Sequence, residues 1–88
     1  MALMNPSINI GGSSADTMVE DRRKVITALR DAMDAMLALQ PHGRDYVGRD
    51  QQFSLDRAFH RNRQQALLDM HDEIMAEALA IQESGHGN

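Results

Sequence analysis

The stretch that decides the fold is QQFSLDRAFHRNRQQALLDMHDEIMAEALAIQES, residues 51–84. It contains neither Gly nor Pro. An apolar row recurs in it at steps of three and four residues: Leu67, Met70, Ile74, Ala78 and Ile81. This spacing places the row along one side of a helix. The pattern predicts a long helix over residues 51–83, and Asp50 is a suitable residue to cap its start.

A second helix is predicted upstream, over residues 17–40. Its apolar residues follow the same helical spacing: Val19, Val25, Ile26, Leu29, Met33, Met36 and Leu37. Thr17 followed by Glu20 fits a capping box, in which each side chain accepts a hydrogen bond from an otherwise unpaired amide at the helix start. Pro41 disfavours helical geometry in the residue before it, and Gly43 can close a helix end. The helix should therefore end near residue 40.

Two helices joined by residues 41–50 fold back on each other most simply as an antiparallel helical hairpin. We therefore predict an all-α fold with one helical-hairpin domain over residues 16–84. A flexible N-terminal arm over residues 1–15 and a frayed tail over residues 85–88 would flank it. Residues 60–65 are the weakest part of the second helix, and a break there would give three helices. Both paths remain open.

The composition predicts self-association. The 88-residue chain has two Phe, one Tyr, no Trp and no Cys, so no disulfide stabilises it. A chain of this size buries only roughly 60–65% of the surface that its unfolded form exposes, which makes a monomer marginal. The longer second helix should also leave Ala78, Leu79 and Ile81 uncovered at its end. Either the N-terminal arm covers that end with Leu3, Ile8 and Ile10, or a second subunit does. We predict a homo-oligomer whose interface is the apolar row Leu67, Met70, Ile74, Ala78 and Ile81.

The connection and the start of the second helix form a net-positive segment. Residues 41–63 carry five Arg and three Asp, whereas residues 64–88 carry five acidic residues and no Lys or Arg. A hairpin gathers the basic side chains at one end, where they could bind an acidic partner or a phosphate. The candidate binding residues are Arg44, Tyr46, Arg49, Arg57, His60 and Arg61. The alternative is an internal ion-pair network in which Asp45, Asp50 and Asp56 neutralise the arginines.

Two further polar features have a structural explanation beside a functional one. His60 could be a pH switch or a ligand, but a buried His bonded to the connection or to the first helix is the favoured alternative. Asp69, His71, Asp72 and Glu73 form an acidic patch. Helical spacing divides this patch between faces, and no metal-binding motif occurs, so we predict a solvated surface and no metal site.

Several functional classes are disfavoured. No local arrangement of Ser or Thr with His and a carboxylate is typical of nucleophilic catalysis, so we expect no enzymatic activity and no cofactor. The formal net charge of −4 argues against nucleic acid as the main partner. The chain has no apolar run of roughly 18 residues and no signal-peptide pattern, so we expect no membrane partner and a cytoplasmic location.

The junction LQPHGRDY, residues 39–46, precedes a long helix that ends in EALAI, residues 77–81. Over roughly residues 19–82 the chain resembles small helical-hairpin proteins encoded by bacteriophages and prophages. The resemblance implies a small non-enzymatic accessory protein, an inhibitor or adaptor that binds and modulates a larger protein of the bacterial host. Two other functions remain open. One is an oligomer that sequesters a phosphorylated small molecule such as a nucleotide, and the other is a structural subunit of a virion or secretion assembly.

Overall fold

Two α-helices account for most of the described chain. The computed structural model describes residues 3–6 and 14–86. Helix α1 spans Ala15–Met36 and helix α2 spans Asp50–His86. One turn of 3₁₀ helix, Leu37–Leu39, follows α1, and another, Gly43–Tyr46, precedes α2. Strands are absent from the described ranges. The predicted all-α class and the two helices are confirmed.

Helix α1 begins earlier than the capping-box pattern predicts. The Ser14 hydroxyl accepts a hydrogen bond from the backbone N–H of Thr17 at 3.1 Å, and the Ser14 carbonyl accepts one from Met18 at 3.0 Å. The Thr17 hydroxyl lies 3.0 Å from the Ser14 hydroxyl. The prediction that Thr17 caps the helix was therefore wrong. Ser is the stronger N-cap, and starting at Ala15 also places Asp16 in the first turn, where the helix dipole favours a negative charge.

The end of α1 follows the constraint that Pro41 imposes. After Met36 the helix tightens into the 3₁₀ turn, and the Gln40 amide donates to the Leu37 carbonyl at 3.3 Å. Gln40 itself is extended, with φ −60° and ψ 124°. The residue before a proline avoids the helical region for steric reasons, which explains why the chain leaves the helix here.

Helix α2 is continuous over its 37 residues, so the three-helix alternative is wrong. The segment 60–65 was predicted to be the weakest part of the helix. Its side chains Arg61, Asn62 and Arg63 are exposed to solvent, and the helical hydrogen bonding of the backbone continues past them. Asp50 lies inside the first turn of α2 rather than before it. The turn that leads into the helix is built at Gly48, whose φ of +74° is a conformation that residues with a Cβ rarely adopt.

Helix α1 packs along the C-terminal half of α2. Arg22 contacts Glu77 and Arg30 contacts His71 across the two helices. Ile81, which was predicted to be left uncovered, is only 4% exposed. For Ile81 the prediction was wrong, because α1 lies against the end of α2 rather than against its start, whereas Leu79 is 54% exposed as predicted. The part of α2 that extends past α1 is its N-terminal part, against which the 3₁₀ turn Gly43–Tyr46 packs.

The hydrophobic core of the described chain is small. It consists of Ile26, Leu29 and Ile81, and two polar residues, His60 and Glu77, are also buried. The molecule measures 63 × 21 × 17 Å, with a radius of gyration of 18.7 Å, against about 12 Å for a compact chain of this length. An elongated pair of helices exposes much surface for each residue that it buries, so large hydrophobic side chains remain in contact with solvent.

Part of the N-terminal arm lies against the helices. The Met4 amide donates to Glu77 Oε2 at 3.2 Å, and Arg22 Nη2 lies 3.9 Å from the Met4 sulfur. Leu3 remains 42% exposed. Ile8 and Ile10 lie outside the described residues, as do residues 87–88 of the predicted tail.

Candidate binding site at the arginine pole

Five exposed arginines surround the connection and the start of α2: Arg44, Arg49, Arg57, Arg61 and Arg63. We call this set the arginine pole. Within residues 3–6 and 14–86, none of the five lies within 4.0 Å of a carboxylate oxygen. The ion pairs found there belong to other residues. The predicted internal network therefore has no direct ion pair in this part of the chain, although the charges of Arg49 and Arg63 act on Asp56 at longer range. Five Arg against three Asp leave the segment net positive.

Asp56, one of the carboxylates expected to neutralise the arginines, is bound by neutral groups instead. Tyr46 donates its hydroxyl to Asp56 Oδ2 at 2.6 Å, and the Gln52 amide donates to Oδ1 at 2.8 Å. These two hydrogen bonds favour the carboxylate and lower the pKa of Asp56, and the positive charges of Arg49 and Arg63 lower it further. The same bond raises the pKa of Tyr46, because the phenol must keep its proton to donate it. The Tyr46 hydroxyl is thus committed within the chain.

An aromatic pair supports one arginine of the pole. The Tyr46 and Phe53 rings lie 5.2 Å apart between centroids, with an interplanar angle of 31°. The Arg57 guanidinium lies 5.4 Å from the Phe53 ring centroid, within the range of a cation–π interaction. A Cβ at Gly43 would lie 3.7 Å from the Phe53 ring, so the 3₁₀ turn runs close beside the pair. The stack restricts Arg57 to a narrower set of orientations than a free surface arginine has.

His60 is buried beneath the segment that follows α1. Its side chain is among the few buried polar groups, with 8% of the residue exposed, and its Nε2 has no hydrogen-bond partner within the described part of the chain. The hydrogen bond that was expected to explain a buried His60 is therefore missing at Nε2. A buried polar atom without a partner is rare in folded proteins and is a feature worth explaining.

Two cavities lie on either side of His60, and both are bordered by Pro41. The first, about 300 Å³, is lined by Leu39, Pro41, Asp56, Phe59, His60 and Arg63. The second, about 250 Å³, is lined by Gln40, Pro41, Arg57, His60, Arg61 and Gln64. The second contains no carboxylate. Two guanidinium groups and two side-chain amides are donors that suit an anionic group.

The structure brings together some of the predicted binding residues and separates others. Arg57, His60 and Arg61 line one cavity, whereas Arg44, Tyr46 and Arg49 line neither cavity beside His60. Phe53 and Gln64 were not predicted. Gln64 could have been found, because it lies four residues after His60 and hence on the same helix face. Phe53 could have been found in the same way, because it lies four residues before Arg57 on the same face of the helix.

The predicted oligomer row faces mostly inward. Ile81 is buried, and Leu67, Ile74 and Ala78 are half-buried, whereas Met70 is 49% exposed. In the acidic patch, His71 accepts a hydrogen bond from Arg30 Nε at 3.3 Å and lies 3.1 Å from Asp72. Within the described ranges, no group of three His, Asp or Glu residues is placed to hold a metal ion. Nor does either helix, as far as it is described, contain an apolar segment long enough to cross a bilayer.

Comparison with known proteins gives no relative from which a function could be transferred. No family model, no curated protein and no solved structure matches this chain.

Proposed function

We propose that α1 and α2 form an antiparallel helical hairpin with the arginine pole at its closed end. Two contacts support this arrangement. Arg22 meets Glu77, and Arg30, eight residues further along α1, meets His71, six residues earlier on α2. Residue numbers therefore rise along one helix while they fall along the other. The connection and the first part of α2 are then held at one end of the molecule.

The proposed function is that of a non-enzymatic protein-interaction module that binds an acidic surface of a larger protein through the arginine pole. The observation that carries this proposal is that, within the described residues, no carboxylate oxygen lies within 4.0 Å of any of the five arginines. An arginine side chain forms paired hydrogen bonds with a carboxylate, so an unpaired cluster is suited to recognise one. The resemblance to phage and prophage proteins favours a protein of the bacterial host cytoplasm as the partner.

Apolar side chains beside the pole support a protein partner over a purely ionic one. Val47 is 85% exposed, Leu55 is 50% exposed and Phe59 is 59% exposed. Protein interfaces combine Arg and aromatic anchors with apolar contact, whereas a solvated charged surface has no need of exposed Phe. Arg57 is also held by Phe53, which reduces the conformational entropy lost when it binds.

The test is charge reversal at the pole. We would compare the wild-type chain with Arg57→Glu/Arg61→Glu and with Arg23→Glu/Lys24→Glu, a control that makes the same charge change at two exposed positions of α1. Each protein would be used as bait in a bacterial lysate at several salt concentrations, with circular dichroism as the check on folding. We expect one captured protein to be retained by the wild type and the control, lost by the pole variant and weakened by salt. Capture that the pole variant retains at wild-type strength would contradict the proposal.

A second candidate is binding of a phosphorylated small molecule in the 250 Å³ cavity of Arg57, Arg61 and Gln64. The cavity is favoured because it lacks a carboxylate and borders the unpartnered His60. A ligand at a hundred times its dissociation constant would add about 2.7 kcal/mol of stability. The test is a thermal-shift measurement with inorganic phosphate and with ATP on the wild type and on Arg61→Ala. Equal melting temperatures with and without both probes would contradict this candidate.

A further inference from the structure

We propose that Met4 is a site of reversible oxidation, at which a peroxide converts the thioether to a sulfoxide that fastens the N-terminal arm to the two helices. The part of the arm that the structure describes is residues 3–6. The site lies where Met4 contacts Arg22 and Glu77. No residue of the arginine pole takes part, so this inference is independent of the proposed function.

Met4 contacts both helices at once. Its amide donates to Glu77 Oε2 on α2 at 3.2 Å, and its sulfur lies 3.9 Å from Arg22 Nη2 on α1. Arg22 and Glu77 are themselves joined at 3.0 Å. Three segments of the chain therefore meet at this contact. Any change in how strongly Met4 is held alters how firmly the arm lies on the helices.

The sulfur is the weak partner in this contact. Arg22 Nε donates to Glu77, and Arg22 Nη1 donates to the Met18 carbonyl at 3.2 Å. Within the described residues, Nη2 has only the Met4 sulfur as an acceptor. A thioether accepts hydrogen bonds weakly, whereas a guanidinium is a strong charged donor. One nitrogen of an arginine side chain that is only 14% exposed is thus left with a poor acceptor.

Oxidation of the sulfur supplies a better acceptor in the same place. A lone pair of the sulfur attacks one oxygen of hydrogen peroxide, and the O–O bond breaks as the S–O bond forms. The departing hydroxide takes the proton from the transferred oxygen and becomes water. The sulfur loses two electrons, and the peroxide gains them. Sulfoxide reductases can restore the thioether, so the change is reversible.

The geometry allows the new oxygen to reach Arg22. When this oxygen turns towards Nη2, it lies within the usual N–H···O range of about 2.7–3.2 Å without displacement of the sulfur. The resulting hydrogen bond is charge-assisted, because its donor is a guanidinium. A sulfoxide in a protein core is disruptive, since it places a polar group among apolar ones. At Met4 the same polar group meets a cation at the surface, so oxidation here stabilises the contact.

Exposure makes Met4 the preferred target among the described methionines. Met4 is 69% exposed and Met70 is 49% exposed. The other methionines of the described ranges are half-buried: Met18, Met33, Met36 and Met75. A peroxide therefore reaches the Met4 sulfur more readily than it reaches these other sulfurs.

Hydrogen exchange at residue 4 tests the proposal, because the Met4 amide is protected only while the arm is bound to Glu77. We would treat the wild type and Met4→Leu with hydrogen peroxide under native conditions, locate the added oxygen by tandem mass spectrometry and measure amide exchange by NMR. We expect Met4 to be oxidised before Met70, and exchange of its amide to slow by about tenfold. Peroxide should leave the exchange of residue 4 unchanged in Met4→Leu. Unchanged or faster exchange in the oxidised wild type would overturn the proposal, as would oxidation of Met70 ahead of Met4.

Two further variants identify the donor and the acceptor. Arg22→Lys keeps a positive charge beside Glu77 but removes Nη2, so oxidation of Met4 should no longer slow the exchange. Met4→Gln places an amide oxygen where the sulfoxide oxygen would lie, so its urea midpoint should exceed that of Met4→Leu without any oxidant. Equal slowing in Arg22→Lys, or a midpoint for Met4→Gln at or below that of Met4→Leu, would overturn the proposal.

Discussion

The Arg22–Glu77 pair provides a sharp test of how this small core is stabilised. Arg22 Nε lies 3.0 Å from Glu77 Oε1, and the side chains are only 14% and 9% exposed. Glu77 Oε2 accepts a second hydrogen bond from the Met4 amide at 3.2 Å. Replacing Arg22 by Met keeps most of the side-chain volume and removes the charge. Glu77 then retains a single donor while it stays buried.

The expected loss of unfolding free energy follows from this geometry. Breaking a buried ion pair by removal of one partner costs about 3–5 kcal/mol in protein interiors. Residual contact with solvent and the Met4 amide reduce that figure here, so we expect Arg22→Met to destabilise the chain by about 2–3 kcal/mol. A domain of this length has a total stability of about 4–13 kcal/mol. The melting temperature should fall by about 10–20 °C.

The assay is urea unfolding followed by circular dichroism at one fixed protein concentration, because self-association would otherwise shift the midpoint. Arg23→Met is the matched control, since Arg23 lies 3.9 Å from Glu20 at the surface, with 69% and 54% exposure, and should cost under about 1 kcal/mol. The double variant Arg22→Met/Glu77→Leu should recover most of the loss, because an apolar pair needs no compensating charge. If Arg22→Met costs no more than Arg23→Met, the pair contributes nothing beyond an ordinary surface contact and our reasoning is refuted.

Four further predictions concern single side chains. Asp56→Asn should lower the pKa of Tyr46 towards its usual value of 10.0, measured by the absorbance of the tyrosinate; an unchanged titration would contradict the observed hydrogen bond. The hydrogen bond from Tyr46 to Asp56 stabilises the fold in the pH range in which Asp56 is deprotonated and Tyr46 is protonated. Its contribution to stability should be lost as the pH falls through the lowered pKa of Asp56, below 3.8. It should also be lost as the pH rises through the raised pKa of Tyr46, above 10.0. The unfolding free energies of Tyr46→Phe and the wild type should therefore differ only between these limits. Ser14→Ala should lower the unfolding free energy by about 1 kcal/mol, measured by urea unfolding, because Ser14 caps α1. This loss should exceed the loss caused by Thr17→Ala. A larger loss for Thr17→Ala would show that Thr17 is the cap. His60→Leu should raise the unfolding free energy by about 1 kcal/mol, since it removes a buried atom without a hydrogen-bond partner; a loss of stability would show that His60 is satisfied in solution.

The helices could be predicted from the sequence because their signals are local. The periodic apolar residues around Ile26 and Leu29 and the absence of Gly and Pro over residues 51–84 act within a few residues of chain. The terminus of α1 was also predictable, because the constraint from Pro41 acts on the residue next to it. The start of α1 was predicted wrongly because Ser14 and Thr17 are both good caps, and local pattern does not rank two adequate candidates.

The relative position of the helices was not predictable in the same way. The apolar rows of α1 and α2 recur at every turn, so their spacing alone does not fix which end of α2 is covered. The buried Arg22–Glu77 pair lies 55 residues apart in the chain and fixes that position. Polar contacts of this kind leave no periodic signal. The sequence predicted that the candidate site is basic. It did not predict that Tyr46 and Gln52 donate hydrogen bonds to Asp56.

The single tyrosine of the chain offers a separate view of its unfolding. Tyr46 is fixed to Asp56 near the start of α2, and with no Trp present its fluorescence reports on that region alone. Circular dichroism reports on the helical backbone as a whole. If the start of α2, which α1 does not cover, opens before the rest of the two helices, the fluorescence transition will precede the circular dichroism transition in urea. Coincident transitions would instead mean that the unbroken α2 transmits the loss of structure from one end to the other as a single cooperative unit.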